Sequence, residues 1–209
     1  MESAFRDPEL KLIETFGWDG SGFVRLARHR DRMAASAMAL GFRFAAAAFD
    51  AALTMPRAPA PLRVRLTLDR GGVFAVTTSA LPPNPAVWRI AIAEEPLLSA
   101  DPRLAHKTTD RALYDRARAA LPAGIDEYLF LNERGEAAEG TITTLFFDLG
   151  DGLRTPPLSS GCLPGCLRAE LLATGRVREE PLPASLLPRA KLWMGNSLRG
   201  LIPAVLPAP

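Results

Sequence analysis

The chain is short of the residues that most side-chain chemistry needs. Its 209 residues include two histidines, two cysteines, two tyrosines and three lysines. With His29 and His106 alone, a multi-histidine metal site is excluded, and no metal is expected. Cys162 and Cys166 are too few for a disulfide framework and read as small residues at a helix start. No glycine precedes a lysine, so a phosphate loop of the GxxxxGK type is absent, and no GxGxxG follows a strand. Gly195-Asn196-Ser197-Leu198-Arg199 opens like a nucleophile elbow. Arg199 stands where the closing glycine belongs and no histidine follows, which excludes a serine hydrolase. Long apolar runs are missing too. The stretch from Phe44 is broken by Asp50, well short of the ~20 residues a membrane span needs. The N-terminus has no basic start followed by an apolar stretch, so no secretory signal is expected. The expectation is a cytoplasmic protein with no membrane partner. Charge of one sign is also lacking: 25 cations face 23 anions, which excludes a broad nucleic-acid surface.

What is present is enough apolar residue, 48%, for a chain of this length to bury roughly 70% of its unfolded surface. Leu12 to Phe16 reads as a strand, followed by a glycine-rich turn and a return at Phe23 to Leu26. Arg28 to Phe42 reads as a helix ending near Gly41, and Ala45 to Leu53 as a second. Leu62–Leu68 and Val73–Thr78 form a hairpin across Asp-Arg-Gly-Gly, and Trp88–Ala93 is a third strand. Pro96 and Pro102 suggest a linker. Beyond it, Thr109–Leu121 reads as a helix capped by Thr109 or Asp110, and Asp126–Leu131 as a strand. A second strand runs toward Phe147, a helix follows Leu163-Pro164-Gly165, and strands are expected at Lys191–Gly195 and Leu201–Ala204. The fold class is α+β, with an N-terminal subdomain at 1–95, a linker at 96–106 and a C-terminal subdomain at 107–209.

The chain prefers arginine to lysine by twenty-two to three, so any amine chemistry rests on Lys11, Lys107 or Lys191. Lys107 sits after the linker at a helix entry, where it is either a surface lysine or a reactive amine that arginine cannot replace. Glu139 lies where a strand turns from polar to apolar. It is either an edge glutamate in water or a buried carboxylate that needs a partner. Gly165-Cys166-Leu167 opens a helix whose first amides can hold an anion, as any helix start can. Asn196-Ser197-Leu198-Arg199-Gly200 offers further amides and a hydroxyl. Arg32 lies on a helix face that is either solvated or aimed at an anion. An amine, an acid and an anion site in this order suit pyridoxal 5′-phosphate.

These stretches resemble the class IV (fold-type IV) pyridoxal-phosphate enzymes: branched-chain aminotransferases, D-amino-acid transaminases and 4-amino-4-deoxychorismate lyases. The segments are His29-Arg30-Asp31-Arg32-Met33, His106-Lys107-Thr108-Thr109, Leu131 to Glu136, Glu139-Gly140-Thr141, and Thr155 through Arg168. The lyase-like domains are the nearest in look. By that resemblance Lys107 bonds the cofactor aldehyde and moves the substrate proton, and Glu139 meets the ring nitrogen. Arg32, Gly165, Cys166, Leu167, Ser197 and Leu198 hold the phosphate, and Arg199 is a candidate for the substrate's acidic groups. The resemblance also implies two subdomains with the cofactor between them, and a homodimer. The expected reaction makes 4-aminobenzoate and pyruvate. Transamination of branched-chain or D-amino acids is the alternative, and a non-catalytic relative is a second alternative. Thr144 stands where the family commonly has Asn. Ala112 stands where aminotransferases carry a tyrosine, with Tyr114 two residues on read as helix packing.

Overall fold

The computed structural model describes residue 5 and residues 7–55 and 60–207. They divide into two compact units, 1–83 with 106–110, and 84–105 with 111–209.

The first unit is a three-stranded antiparallel sheet with two helices. β1 (Leu12–Trp18) pairs with β2 (Leu62–Leu68), which pairs with β3 (Phe74–Ala80). β2 buries Leu62, Val64, Leu66 and Leu68 and turns Arg63 and Arg65 the other way, as a period of two requires. α1 (Leu26–Leu40) places His29, Met33 and Ala37 on one buried face at four-residue spacing. It stops at Gly41, whose φ of 71° closes the last turn at no side-chain cost. α2 (Ala46–Ala52) contributes the fully buried Phe49. These side chains, with Phe16, form one core. Truncating Met33 to alanine there would cost about 2–5 kcal/mol.

The second unit is a closed sheet. β4 (Trp88–Ile92), β5 (Glu127–Leu131), β6 (Glu136–Gly140), β7 (Thr144–Asp148), β11 (Lys191–Asn196) and β12 (Gly200–Val205) make a ring of pairings, because β6 bonds both β5 and β7. β8 (Leu153–Thr155), β9 (Arg178–Glu179) and β10 (Leu182–Pro183) extend it. Most pairs are antiparallel, but β4 runs parallel to β5 and to β12, and β8 parallel to β9. Leu145 and Phe147 point into the ring with Ile90, Leu129, Met194 and Ile202. Phe146 points outward and packs under α4 (Cys166–Ala173) against Leu167 and Leu171. α3 (Ala112–Ala119) packs Leu113 and Tyr114 over Phe130.

Three expectations need correction. The expected boundary at 95/96 falls instead at 83/84, because β4 hydrogen-bonds into the closed sheet and not onto the hairpin before it. The segment 96–106 is not a linker: Leu97 and Leu104 are buried, and Leu97 N–H donates to Leu131. Residues 106–110 belong to the first unit. Lys107 C=O accepts from Ile13 N–H at 2.8 Å, and Thr109 N–H donates to Lys11 at 2.9 Å. The backbone that was expected to start a helix at Thr109 is thus spent on β1, and α3 begins at Ala112.

Candidate active site

In the first unit, β1 and α1 bring Glu14, His29 and Arg32 together. Glu14 and His29 are each 1% exposed. Arg32 Nε donates to Glu14 Oε1 at 2.9 Å and its Nη2 to Oε2 at 2.5 Å. His29 Nδ1 lies 2.5 Å from the same Oε2. Burial works against the Glu14 charge, but the Arg32 guanidinium and the His29 hydrogen bond outweigh it and hold the pKa below 4.5. Burial pushes His29 down from 6.5 despite Glu14, with the Arg32 and Lys107 charges adding to the drop. His29 is therefore neutral at pH 7 and donates through Nδ1–H. Lys107 is half-buried, whereas Lys11 and Lys191 are exposed. Beside it, His106 Nδ1 meets Ser36 Oγ at 3.0 Å.

Arg32 accordingly does not lie on a solvated helix face. It is largely buried in a two-pronged pair with Glu14. The sequence reading missed Glu14. Its signal was a lone carboxylate in the strand Leu12–Trp18, where every other residue except Thr15 is buried.

The second unit carries Glu139, Gly165–Leu167 and Ser197–Arg199. Glu139, in β6, is 6% exposed, so it is not an edge glutamate in water. Tyr114 Oη donates to its Oε1 at 2.6 Å, and Leu163 N–H to its Oε2 at 2.9 Å. Tyr114 is thus more than helix packing, because its hydroxyl reaches the carboxylate.

The turn after Glu139 is pinned from below by a second carboxylate the sequence reading did not single out. Glu127 is fully buried and accepts from Thr141 Oγ1 at 2.5 Å, Thr143 Oγ1 at 3.0 Å and Thr141 N–H at 3.1 Å. Arg111 and Arg118 of the helix side donate to Thr141 C=O and Oγ1. The expected single strand toward Phe147 therefore breaks into β6, a tight turn and β7.

α4 starts at Cys166 with Gly165 as its N-cap. A Cβ on Gly165 would lie 2.8 Å from Thr144 Oγ1, so the close approach of β7 needs glycine there. Thr144, where the family pattern carries Asn, is what fills that space. Ser197 is buried in the turn from β11 to β12. Leu198 N–H does not stand open to an anion as expected. It donates to Asn196 Oδ1 at 3.0 Å, beside Arg199 N–H at 2.9 Å. Asn84 then holds Arg199, donating to its C=O at 2.8 Å and accepting from its Nη1 at 2.9 Å. No helix among the described residues is long and apolar enough to cross a membrane.

A family model for amino-transferase class IV matches residues 11–206. A Schizosaccharomyces pombe protein, provisionally named aminodeoxychorismate lyase, is 29% identical over 181 residues, covering 82% of this chain and 77% of that one. A Mesorhizobium loti crystal structure, provisionally named an amino-acid aminotransferase, is 44% identical with a TM-score of 0.88, covering 95% of this chain and all of that one. The 4-amino-4-deoxychorismate lyase from Pseudomonas aeruginosa is 25% identical with a TM-score of 0.72, covering 95% and 86%.

Proposed function

Because the chain belongs to the class IV aminotransferases, enzymes that depend on pyridoxal phosphate, we propose that it is a lyase converting 4-amino-4-deoxychorismate to 4-aminobenzoate and pyruvate. The observation that carries the cofactor reading is Glu139. It is a buried carboxylate that accepts from Tyr114 Oη on Oε1 and from Leu163 N–H on Oε2, a fixed acceptor of the kind that a ring N–H needs. The amine and the anion donors fit as well: one half-buried lysine out of three, and a helix start capped by glycine. When bound, the cofactor acts as an electron sink for the substrate carbanion.

The residues then divide the work. Lys107 would hold the cofactor aldehyde, and its Nζ, once released, would take the proton from the amine-bearing ring carbon. The enolpyruvyl C–O bond would break with its electron pair leaving on oxygen, the pair from the C–H bond would complete the aromatic ring, and the proton on Nζ would pass to the methylene carbon of the departing enolate, giving pyruvate. Glu139 would meet the ring nitrogen and keep it protonated. Arg32, the amides of Gly165, Cys166 and Leu167, and Ser197 would hold the phosphate. Leu198 joins them only if Asn196 releases its amide. Arg199, braced by Asn84, takes a substrate carboxylate. The reading includes a homodimer and a cytoplasmic place in the supply of folate precursor.

The identity of 44% to the M. loti protein favours a second reading, amino-acid transamination by the same Lys107 and Glu139, with branched-chain or D-amino acids as the substrates the family resemblance suggests. One experiment separates them. The protein loaded with pyridoxal phosphate is given aminodeoxychorismate, and pyruvate and 4-aminobenzoate are measured. In parallel it is given branched-chain and D-amino acids with a keto-acid acceptor. Equal release of the two lyase products supports the proposal. Amino transfer without them moves the assignment to the second reading.

A further inference from the structure

The Glu139 carboxylate is held by a residue outside every motif that the sequence brought forward. Tyr114 sits on α3, and its hydroxyl donates to Glu139 Oε1 at 2.6 Å. The ring has its own fixed seat. It stands edge-to-face on Phe130, 5.4 Å between centroids at 80°, and the Arg111 guanidinium lies 5.1 Å over its face. Arg111 also donates to Thr141 C=O, two residues past Glu139, and so ties the start of α3 to the same turn. Leu163 N–H takes the other carboxylate oxygen at 2.9 Å. Donors on both oxygens, supplied by a helix and a loop, fix the orientation of the carboxylate.

We propose that Tyr114 is a positioning residue for the cofactor's ring nitrogen, acting through Glu139 by fixing its carboxylate in one plane. This rests on the reading of Glu139 given above. Burial and the Glu139 charge push the phenol far above its ordinary range, so it stays protonated and donates to the carboxylate. A flexible carboxylate would instead share its charge over several orientations, and the bond to a ring N–H would weaken.

The test is cofactor binding to the apoprotein, with two probes. One is pyridoxal phosphate; the other is its analogue with C–H in place of the ring nitrogen. Tyr114→Phe keeps the ring and its contacts with Phe130 and Arg111 and removes one oxygen. A hydrogen bond to a charged group is worth enough that the Kd for pyridoxal phosphate should rise about tenfold. The Kd for the analogue should not change, because it offers Glu139 no N–H. In a Glu139→Gln background, Tyr114→Phe should add nothing to the Kd for pyridoxal phosphate. An equal rise for both probes, or a rise that persists beside Glu139→Gln, overturns the proposal and makes Tyr114 structural only. If the parent binds both probes alike and Glu139→Gln changes neither, Glu139 does not meet the ring nitrogen, and the functional reading fails with it. Should Tyr114→Phe not fold, a fluorinated tyrosine in a Tyr128→Phe background leaves the shape intact and alters the donor, since the chain has two tyrosines. Pyridoxal phosphate affinity must then shift and analogue affinity stay.

Discussion

Glu14 and Glu139 are both buried carboxylates on strands, one in each unit, and their surroundings differ in kind. Glu14 is met by a guanidinium and an imidazole. Glu139 is met by a phenol and a backbone amide. A charge paired with an opposite charge is spent on holding the fold together. A carboxylate held by a hydrogen-bond donor on each oxygen is fixed in orientation, and an acceptor in a fixed place is what a ring N–H would need. Glu127 combines the two: hydroxyls and amides of the 141–143 turn donate to it, Arg118 Nη1 lies 3.5 Å from its Oε1, and its task is to shape that turn.

Breaking the first carboxylate should have the largest effect on stability. Glu14→Ala leaves Arg32 and His29 without their partner, and losing one member of a buried pair costs about 3–5 kcal/mol. Urea unfolding measures it; a loss under 1 kcal/mol would mean that the triad is not structural.

Glu139→Gln sharpens the comparison from the other side. It should fold and bind cofactor, yet turnover should fall on the order of 10²–10³-fold, as for loss of a preorganised charge at a transition state. Turnover within twofold of the parent would remove Glu139 from the chemistry.

Arg32→Ala comes next. From sequence alone it should weaken cofactor binding and spare the fold. Its pairing with Glu14 changes that. Stability should also fall, by less than for Glu14→Ala, because Glu14 keeps His29. Cofactor Kd should rise about 10- to 150-fold for one charge-assisted contact. An unchanged Kd in a folded variant leaves Arg32 as a partner of Glu14 alone.

The smallest effect is the acid limb of stability. His29 has a folded pKa below 6.5, so the unfolded chain binds the proton first. Stability therefore falls as pH drops from 6.5 toward the folded value. Glu14, held below 4.5, contributes stability that is present above 4.5 and lost as pH falls through its lowered folded pKa. Urea midpoints at a series of pH values should show both stages, and His29→Gln should flatten the upper one.

Much of the fold is legible in the sequence where period and punctuation agree. β2 stands where Arg63 and Arg65 alternate with Val64 and Leu66, and α1 ends where Gly41 stops it. The pattern failed where long-range hydrogen bonds override it. Thr109 looks like a helix cap, but its Oγ1 accepts from Lys11 N–H at 2.9 Å and its N–H donates to Lys11 C=O, just before β1. Trp88–Ala93 reads as a third strand after a hairpin, and periodicity cannot tell which sheet a strand joins. At the site, Lys107 and Glu139 could be picked out as single residues. Glu14 and Tyr114 could not, because each matters only through a partner 18 or 25 positions away.

The central claim is that one lysine of three carries the cofactor. The protein is saturated with pyridoxal phosphate, reduced with borohydride and digested, and the peptides are mapped by mass. Label on the peptide containing Lys107, and on neither exposed Lys11 nor exposed Lys191, is the predicted result. Label on Lys11 or Lys191 in its place, or none at saturating cofactor, would contradict it.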